Sequence, residues 1–150
     1  MALFLLLAGG MLAGVQKAEA QTSAAFSLDE TLLDAGVWLR THLPRGTRAV
    51  LIGFSTPSKA LSNYSSEKLA LSLNDLGVAR VMRADQADYN TASSIGRTNG
   101  IETIMMGSIS RYEGSRYYFD LQIAGTNGNV WDQFTGIIRG DKTFRTLVGR

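Results

Sequence analysis

Residues 116–139 read RYYFDLQIAGTNGNVWDQFTGIIR, and the pair Asn127-Gly128 at their middle decides how the C-terminal half folds. The two flanking runs are rich in β-branched and aromatic residues, the composition of half-buried strands. A type I′ turn needs positive φ at both central residues, which Asn and Gly tolerate. A two-residue loop there fixes the register. Leu121 faces Phe134, Phe119 faces Gly136 and Tyr117 faces Ile138, while Asp120 faces Thr135 and Gln122 faces Gln133. One face comes out apolar and the other largely polar, as a correct register requires. Gly114-Ser115 supplies a second two-residue turn, joining a strand over residues 103–112 to one over 116–124. The third strand covers residues 130–139. The second half of the chain is therefore expected to be an antiparallel meander.

The first half has a different rhythm. Ser27-Leu28-Asp29-Glu30 is a capping box, and Leu28, Leu32, Ala35, Leu39 and Leu43 follow at helical spacing. Pro44 and Gly46 stop that helix. Burying its four leucines contributes roughly 6–10 kcal/mol before entropy. Residues 48–54, RAVLIGF, form a continuous apolar run that suits a central strand covered on both faces. Pro57 keeps Thr56 extended, so Ser58 becomes a helix N-cap. Leu61, Tyr64, Leu69, Leu73 and Leu76 make the apolar stripe of the next helix, with Gly77 as its stop. Residues 78–83 predict a short strand and residues 91–99 a short helix. The closing helix is expected over residues 141–147, capped by Asp141. Alternating α-β-α-β-α predicts crossovers and parallel strands. The expected fold class is α/β (α+β): a single mixed sheet of about five strands, parallel first and antiparallel at the C-terminus, with helices packed on it.

The chain has 150 residues, enough for one domain. Residues 1–15 are almost wholly apolar, and Ala18-Glu19-Ala20 supplies an A-x-A cleavage pattern. Residues 1–20 are thus expected to be a signal peptide and 21–150 a single exported domain. A helix over residues 1–15 would span about 22 Å, short of a roughly 30 Å hydrocarbon core, so no stable span is expected after cleavage. There is no Cys, hence no disulfide, no cysteine metal site and no lipid-accepting thiol. The net charge of +2 is scattered, with no basic block to suggest nucleic acid.

No constellation in the sequence carries chemistry. Ser65-Ser-Glu-Lys68 spells S-x-x-K, but no S-D-N or K-T-G partner accompanies it, so Ser65, Ser66, Glu67 and Lys68 are read as a solvated helix face. The loop over residues 55–58 leads from a strand to a helix N-terminus, where anions can bind, yet it lacks the glycines of phosphate loops. His42 is the sole histidine and has no grouped partners. No enzyme activity, metal or cofactor is expected. Tyr118 and Trp131 fall on the polar face of the hairpin, near Arg111 and Gln133, and aromatic and Arg side chains are the usual anchors of protein interfaces. The competing expectation is that the terminal helices cover them.

The linear order of short motifs resembles the CsgG/LpoB-like family. The resemblance rests on Leu43-Pro44-x-Gly46-Thr47, the apolar strand ending at Phe54, and Pro57-Ser58-x-x-Leu61-Ser62-x-Tyr64-x-x-Glu67-x-Leu69. Ile95-Gly96 and the run from Gly100 to Arg111, with Gly107 inside it, continue the likeness. It implies a non-enzymatic periplasmic α/β domain, with outer-membrane association as a further expectation, that binds an envelope protein such as a peptidoglycan synthase, as activators of penicillin-binding proteins do. It also implies structural roles: Phe54 in the core, Ser58 as cap, and Leu61, Tyr64 and Leu69 against the sheet. A curli-type secretion or assembly component is the alternative within the family, although the strands here show no lipid-facing alternation. A small-ligand or nucleotide domain using the 55–58 loop is the alternative outside it.

Overall fold

The computed structural model describes residues 25–149 apart from residue 86, so the expected leader, residues 1–20, lies outside the described residues. The chain runs α1 (Leu28–His42), β1 (Thr47–Ser55), α2 (Lys59–Asp75), β2 (Ala79–Arg83), α3 (Tyr89–Thr98), β3 (Thr103–Arg111), β4 (Arg116–Gly125), β5 (Val130–Arg139) and α4 (Lys142–Val148). The five strands form one sheet in the order β2-β1-β3-β4-β5. β1 pairs in parallel with β2 and β3, and β3, β4 and β5 pair antiparallel, the mixed sheet that the sequence predicts.

Local chemistry sets the helix boundaries. Ser27 and Glu30 exchange bonds, the Glu30 amide donating to Ser27 Oγ at 3.1 Å and the Ser27 amide to Glu30 Oε1 at 2.8 Å. These bonds hold the Glu30 carboxyl below the usual carboxylate range. Ser58 caps α2 by accepting from the Leu61 amide at 3.1 Å, and its hydroxyl donates to the Leu147 carbonyl of α4 at 2.7 Å. One side chain thus starts one helix and holds another. α3 begins two residues before the expected start at Thr91, because Asp88 accepts from the Thr91 amide at 2.7 Å and caps the helix.

The core has two unequal parts. The larger lies between one sheet face and α1, α2 and α4, and contains Leu32, Leu39, Leu51, Phe54, Leu61, Leu69, Phe119, Leu121, Ile138 and Phe144. The smaller, on the opposite face, holds Val50, Ala92, Ile101 and Ile104 under α3. A bulge decides which part receives Phe54. Leu51 pairs with Met105 but Phe54 pairs with Gly107, so β1 carries one extra residue between them. Strict alternation would put Phe54 on the face of Val50. The bulge, with Gly53 at φ 108°, turns it to the larger core instead. There its ring lies over Gly107 and 5.4 Å from the ring of Phe119.

α2 departs from expectation at Ser65, Ser66 and Leu76. Ser65 and Ser66 are buried rather than solvated, and neither hydroxyl finds a partner among the described residues. α2 packs on β1, β2, α1 and α4, so its buried sector is wider than a one-sided stripe. Small side chains suit such a helix where its neighbours come close. Leu76, at the helix end, is 40% exposed. Tyr64 is half-buried, packs against the larger core and also meets α1, its hydroxyl donating to Asp29 Oδ1 at 2.7 Å. That bond pushes the phenol pKa up to about 12. A buried hydroxyl without a partner costs about 1–3 kcal/mol of desolvation. Ser66→Ala is therefore expected to raise stability by about 1 kcal/mol in urea denaturation. A loss of stability in that variant would show that the hydroxyl is bonded in solution.

The chain entering α1 also touches the sheet. The Phe26 amide donates to the Ile137 carbonyl at 3.0 Å, and the Phe26 carbonyl accepts from the Arg139 amide at 2.7 Å. Phe26 is thus a one-residue parallel addition to the outer edge of β5.

Candidate protein-binding face

Cross-strand pairing assigns every side chain of β3, β4 and β5 to a face. Tyr117, Phe119, Leu121 and Ile123 point into the larger core with Met105, Ile109 and Ile138. The other face carries three rows: Ser110, Tyr118 and Ile137; then Ser108, Asp120 and Thr135; then Met106, Gln122 and Gln133. α1, α2 and α4 all pack on the first face, and α3 reaches only β1 and β3 of the second. Among the described residues the terminal helices therefore do not cover Tyr118, which is half-buried beside the buried Ile137. Among the described residues the covering expected from a small α/β domain fails because the single helix on that face has 10 residues and follows the β2-to-β3 crossover.

This open face is polar and internally organised. Asp120 accepts from Gln133 Nε2 at 2.7 Å and from Gln122 Nε2 at 3.4 Å. The carboxylate, bridged by two amides, lies in the row beside Tyr118. No Lys or Arg occupies these rows. The surface is thus mainly polar, with Tyr118 and the buried Ile137 at one end, Met106 at the other and the Asp120 carboxylate at its centre.

Of the four residues expected to group together, the structure keeps Tyr118 and Gln133 on this face and separates the other two. Arg111 pairs with Tyr117, on the opposite face, and its guanidinium lies 6.0 Å from the Tyr117 ring. Trp131 leaves the ladder altogether. The body of the hairpin has the expected register, Leu121 with Phe134 and Gln122 with Gln133, but Ala124 pairs with Val130. The loop is therefore residues 126–128 rather than the two-residue Asn127-Gly128 turn, and Trp131 is the extra residue of a bulge. The extra loop residue and the bulge compensate each other, which preserves the register beyond them. The Asn127 side chain accepts from the Asn129 amide at 3.1 Å and closes the wider turn. The first hairpin differs in the same sense. The Tyr112 amide donates to the Arg116 carbonyl and the Arg116 amide to the Glu113 carbonyl, so its loop is residues 113–115 rather than Gly114-Ser115 alone.

The other candidate residues serve the scaffold. Leu61 and Leu69 are fully buried and Phe54 is 4% exposed. Ser65 lies in the interior, whereas Lys68 is half-exposed, 3.9 Å from Asp29 and 5.6 Å from the centre of the Tyr64 ring. In the 55–58 loop Thr56 Oγ1 donates to the Ser58 carbonyl at 2.5 Å, and Ser62 Oγ donates to the Phe54 carbonyl at 2.6 Å. These hydroxyls are bonded to the chain's own backbone. His42 stacks on Trp38, with ring centroids 4.2 Å apart, and its Nε2 lies 3.8 Å from Asp132. Among the described residues no group of three or more His, Cys, Asp or Glu could hold a metal ion, and no helix is long and apolar enough to cross a membrane.

No family model and no curated protein matches this chain. Solved structures do. The C-terminal domain of LpoB from Salmonella enterica superposes with a TM-score of 0.63 at 12% identity, over 76% of this chain and 99% of that one. The same domain from Escherichia coli gives 0.63 at 12% identity, over 75% and 98%. The fold is LpoB-like. A PelC dodecamer from Paraburkholderia phytofirmans gives a TM-score of 0.50 at 17% identity, over 71% of this chain and 82% of that one. At these identities the likeness is one of architecture. Each LpoB domain is covered almost end to end by about three quarters of this chain.

Proposed function

We propose that this chain is an exported envelope module that acts by binding another protein and carries out no chemistry of its own. The observation that carries this reading is the β4–β5 face that no described helix covers, with Tyr118 beside the Asp120–Gln122–Gln133 bridge, on a domain of LpoB-like fold. The family resemblance in the sequence motifs supports a peptidoglycan synthase as the partner. The leader pattern in residues 1–20 supports a periplasmic location. A mainly polar face with an aromatic anchor suits a regulatory contact that forms and dissolves more than a permanent interface, which is more apolar.

A photo-crosslinking side chain placed at Gln122 in cells is expected to capture a peptidoglycan synthase. The same group at Leu71, 52% exposed on α2, is the matched control. Tyr118→Ala is expected to weaken the complex by about 2 kcal/mol, or about thirtyfold, with the fold intact by circular dichroism. Equal capture from both positions, or unchanged affinity in Tyr118→Ala, would remove this face from consideration.

A further inference from the structure

A cleft with a volume of about 700 Å³ opens between the C-terminal end of α3 and the β4–β5 loop, lined by Arg97, Ile101, Glu102, Asn127, Asn129 and Trp131 among others. Its size falls in the range of small-molecule sites. The bulge described above takes Trp131 out of the ladder and places it here, 48% exposed. Bulges commonly re-aim a side chain beside a binding site. The walls are fixed from both sides: the Tyr89 hydroxyl of α3 donates to the Gly125 carbonyl of β4, and Arg97 Nη1 donates to the Thr126 carbonyl at 3.3 Å.

The polar groups around the indole are not consumed by the fold. Asn127 uses its carbonyl oxygen to close the turn, which leaves its amide protons. The Glu102 carboxylate and the Asn129 side-chain amide make no hydrogen bond to any described residue. The lining's formal charges cancel, Glu102 against Arg97, so the cleft has no net charge to draw an ionic ligand. The cleft meets the C-terminal, negative end of the α3 dipole, and Glu102 adds a full negative charge. Arg97 keeps its positive charge while one of its N–H groups donates to the Thr126 carbonyl, and so offsets both. A cation would want a cage of aromatic faces, and Trp131 is the sole aromatic residue in the lining. What remains is a neutral molecule with a flat apolar face and hydroxyls around its rim.

A pyranose with equatorial substituents has that form. Its axial C–H groups make a flat, weakly positive face that complements the negative face of an indole. Its hydroxyls both donate and accept, matching an amide, a carboxylate and an indole N–H at the edge of the ring. We propose that this cleft binds a β-linked oligosaccharide, with one sugar ring stacked on Trp131 and its hydroxyls bonded to Glu102, Asn127 and Asn129. β-1,4-Linkages keep successive rings extended and flat, as an open cleft requires. The site is separate from the Tyr118 face, so either proposal can fail without the other.

The chain has two tryptophans, Trp38 and Trp131, so two indole N–H resonances report the outcome. Cellopentaose and chitotetraose, titrated into the intact domain, are expected to shift the Trp131 resonance and leave that of Trp38 in place. Maltopentaose, α-linked and curved, is expected to leave both in place. Asn129→Ala is expected to weaken binding at least threefold, and Trp131→Ala about tenfold or more, the scale of one ring stacked on an aromatic side chain. A Trp131 resonance that stays fixed with both β-linked probes at about 10 mM overturns the proposal. So does an equal response to maltopentaose. The wild-type titration decides the matter even if Trp131→Ala fails to fold.

Discussion

Gly107→Val is expected to destabilise the domain by about 3 kcal/mol or more, at the upper end of what overpacking costs. A Cβ at Gly107 would approach the Phe54 ring to 2.7 Å at Cζ, and more closely at Cδ2 and Cε2. The ring has nowhere to go. It is 4% exposed, is packed against Phe119, and is held on this face by the bulge at Gly53. The test is a double-mutant cycle read by urea denaturation. Phe54→Ala alone is expected to cost about 3–5 kcal/mol through the cavity it leaves. The double variant should then cost at least about 1 kcal/mol less than the sum of the two, because the valine fills space the ring vacated. Additive effects would mean that Gly107 and Phe54 do not compete for the same volume. The pairing of a strand glycine with a core aromatic would then need another cause.

Phe144→Ala is expected to have an effect of similar size, about 3–5 kcal/mol. α4 has seven residues, too few to be stable on its own. It is held by the Phe144 ring, fully buried and 4.4 Å from the Tyr117 ring, and by the Ser58 bond to the Leu147 carbonyl. Losing the ring removes the larger of these attachments. Ser58→Ala removes the smaller and uncaps α2 at the same time, at a cost of about 1 kcal/mol. Amide exchange in α4 should rise much more in Phe144→Ala than in Ser58→Ala. A protected α4 in the Phe144 variant would show that the helix is held by something other than its one buried aromatic ring. Against a total stability of about 5–15 kcal/mol for a small domain, either large substitution brings the chain close to unfolding.

The architecture was legible because it rests on periodicity. Leu28, Leu32, Ala35, Leu39 and Leu43 keep helical spacing and all five are buried. The hairpin register from Tyr117 with Ile138 to Gln122 with Gln133 follows from which alternation makes one face apolar. What stayed hidden depends on volume or on backbone detail rather than on polarity. Ser65 and Ser66 read as solvent-facing because they carry hydroxyls, yet α2 uses them where its neighbours crowd it. Gly36 shows the same demand, since a Cβ there would come within 3.1 Å of Ser72 Oγ on α2. The displacement of Trp131 was concealed by compensation, because a longer loop and a bulge together leave the distal register unchanged. The flanking Gly125, Asn127, Gly128 and Asn129 were the available sign that the turn is wider than two residues. The separation of Arg111 from Tyr118 was readable in principle, since adjacent cross-strand pairs face opposite sides. It required the three-residue first loop, which Gly114-Ser115 disguised.

The one-residue strand at Phe26 bears on how the molecule behaves in a crowded compartment. An open sheet offers two borders to which another copy could add, chain upon chain. One border here is β2, only five residues long and carrying Arg80 and Arg83. At the other, Phe26 already occupies the Ile137 carbonyl and the Arg139 amide, and the Asp132 side chain takes the Gln133 amide at 2.9 Å. Lateral growth into a polymer is thus discouraged at both ends of the sheet, while the broad surface that no described helix covers stays available to a visitor.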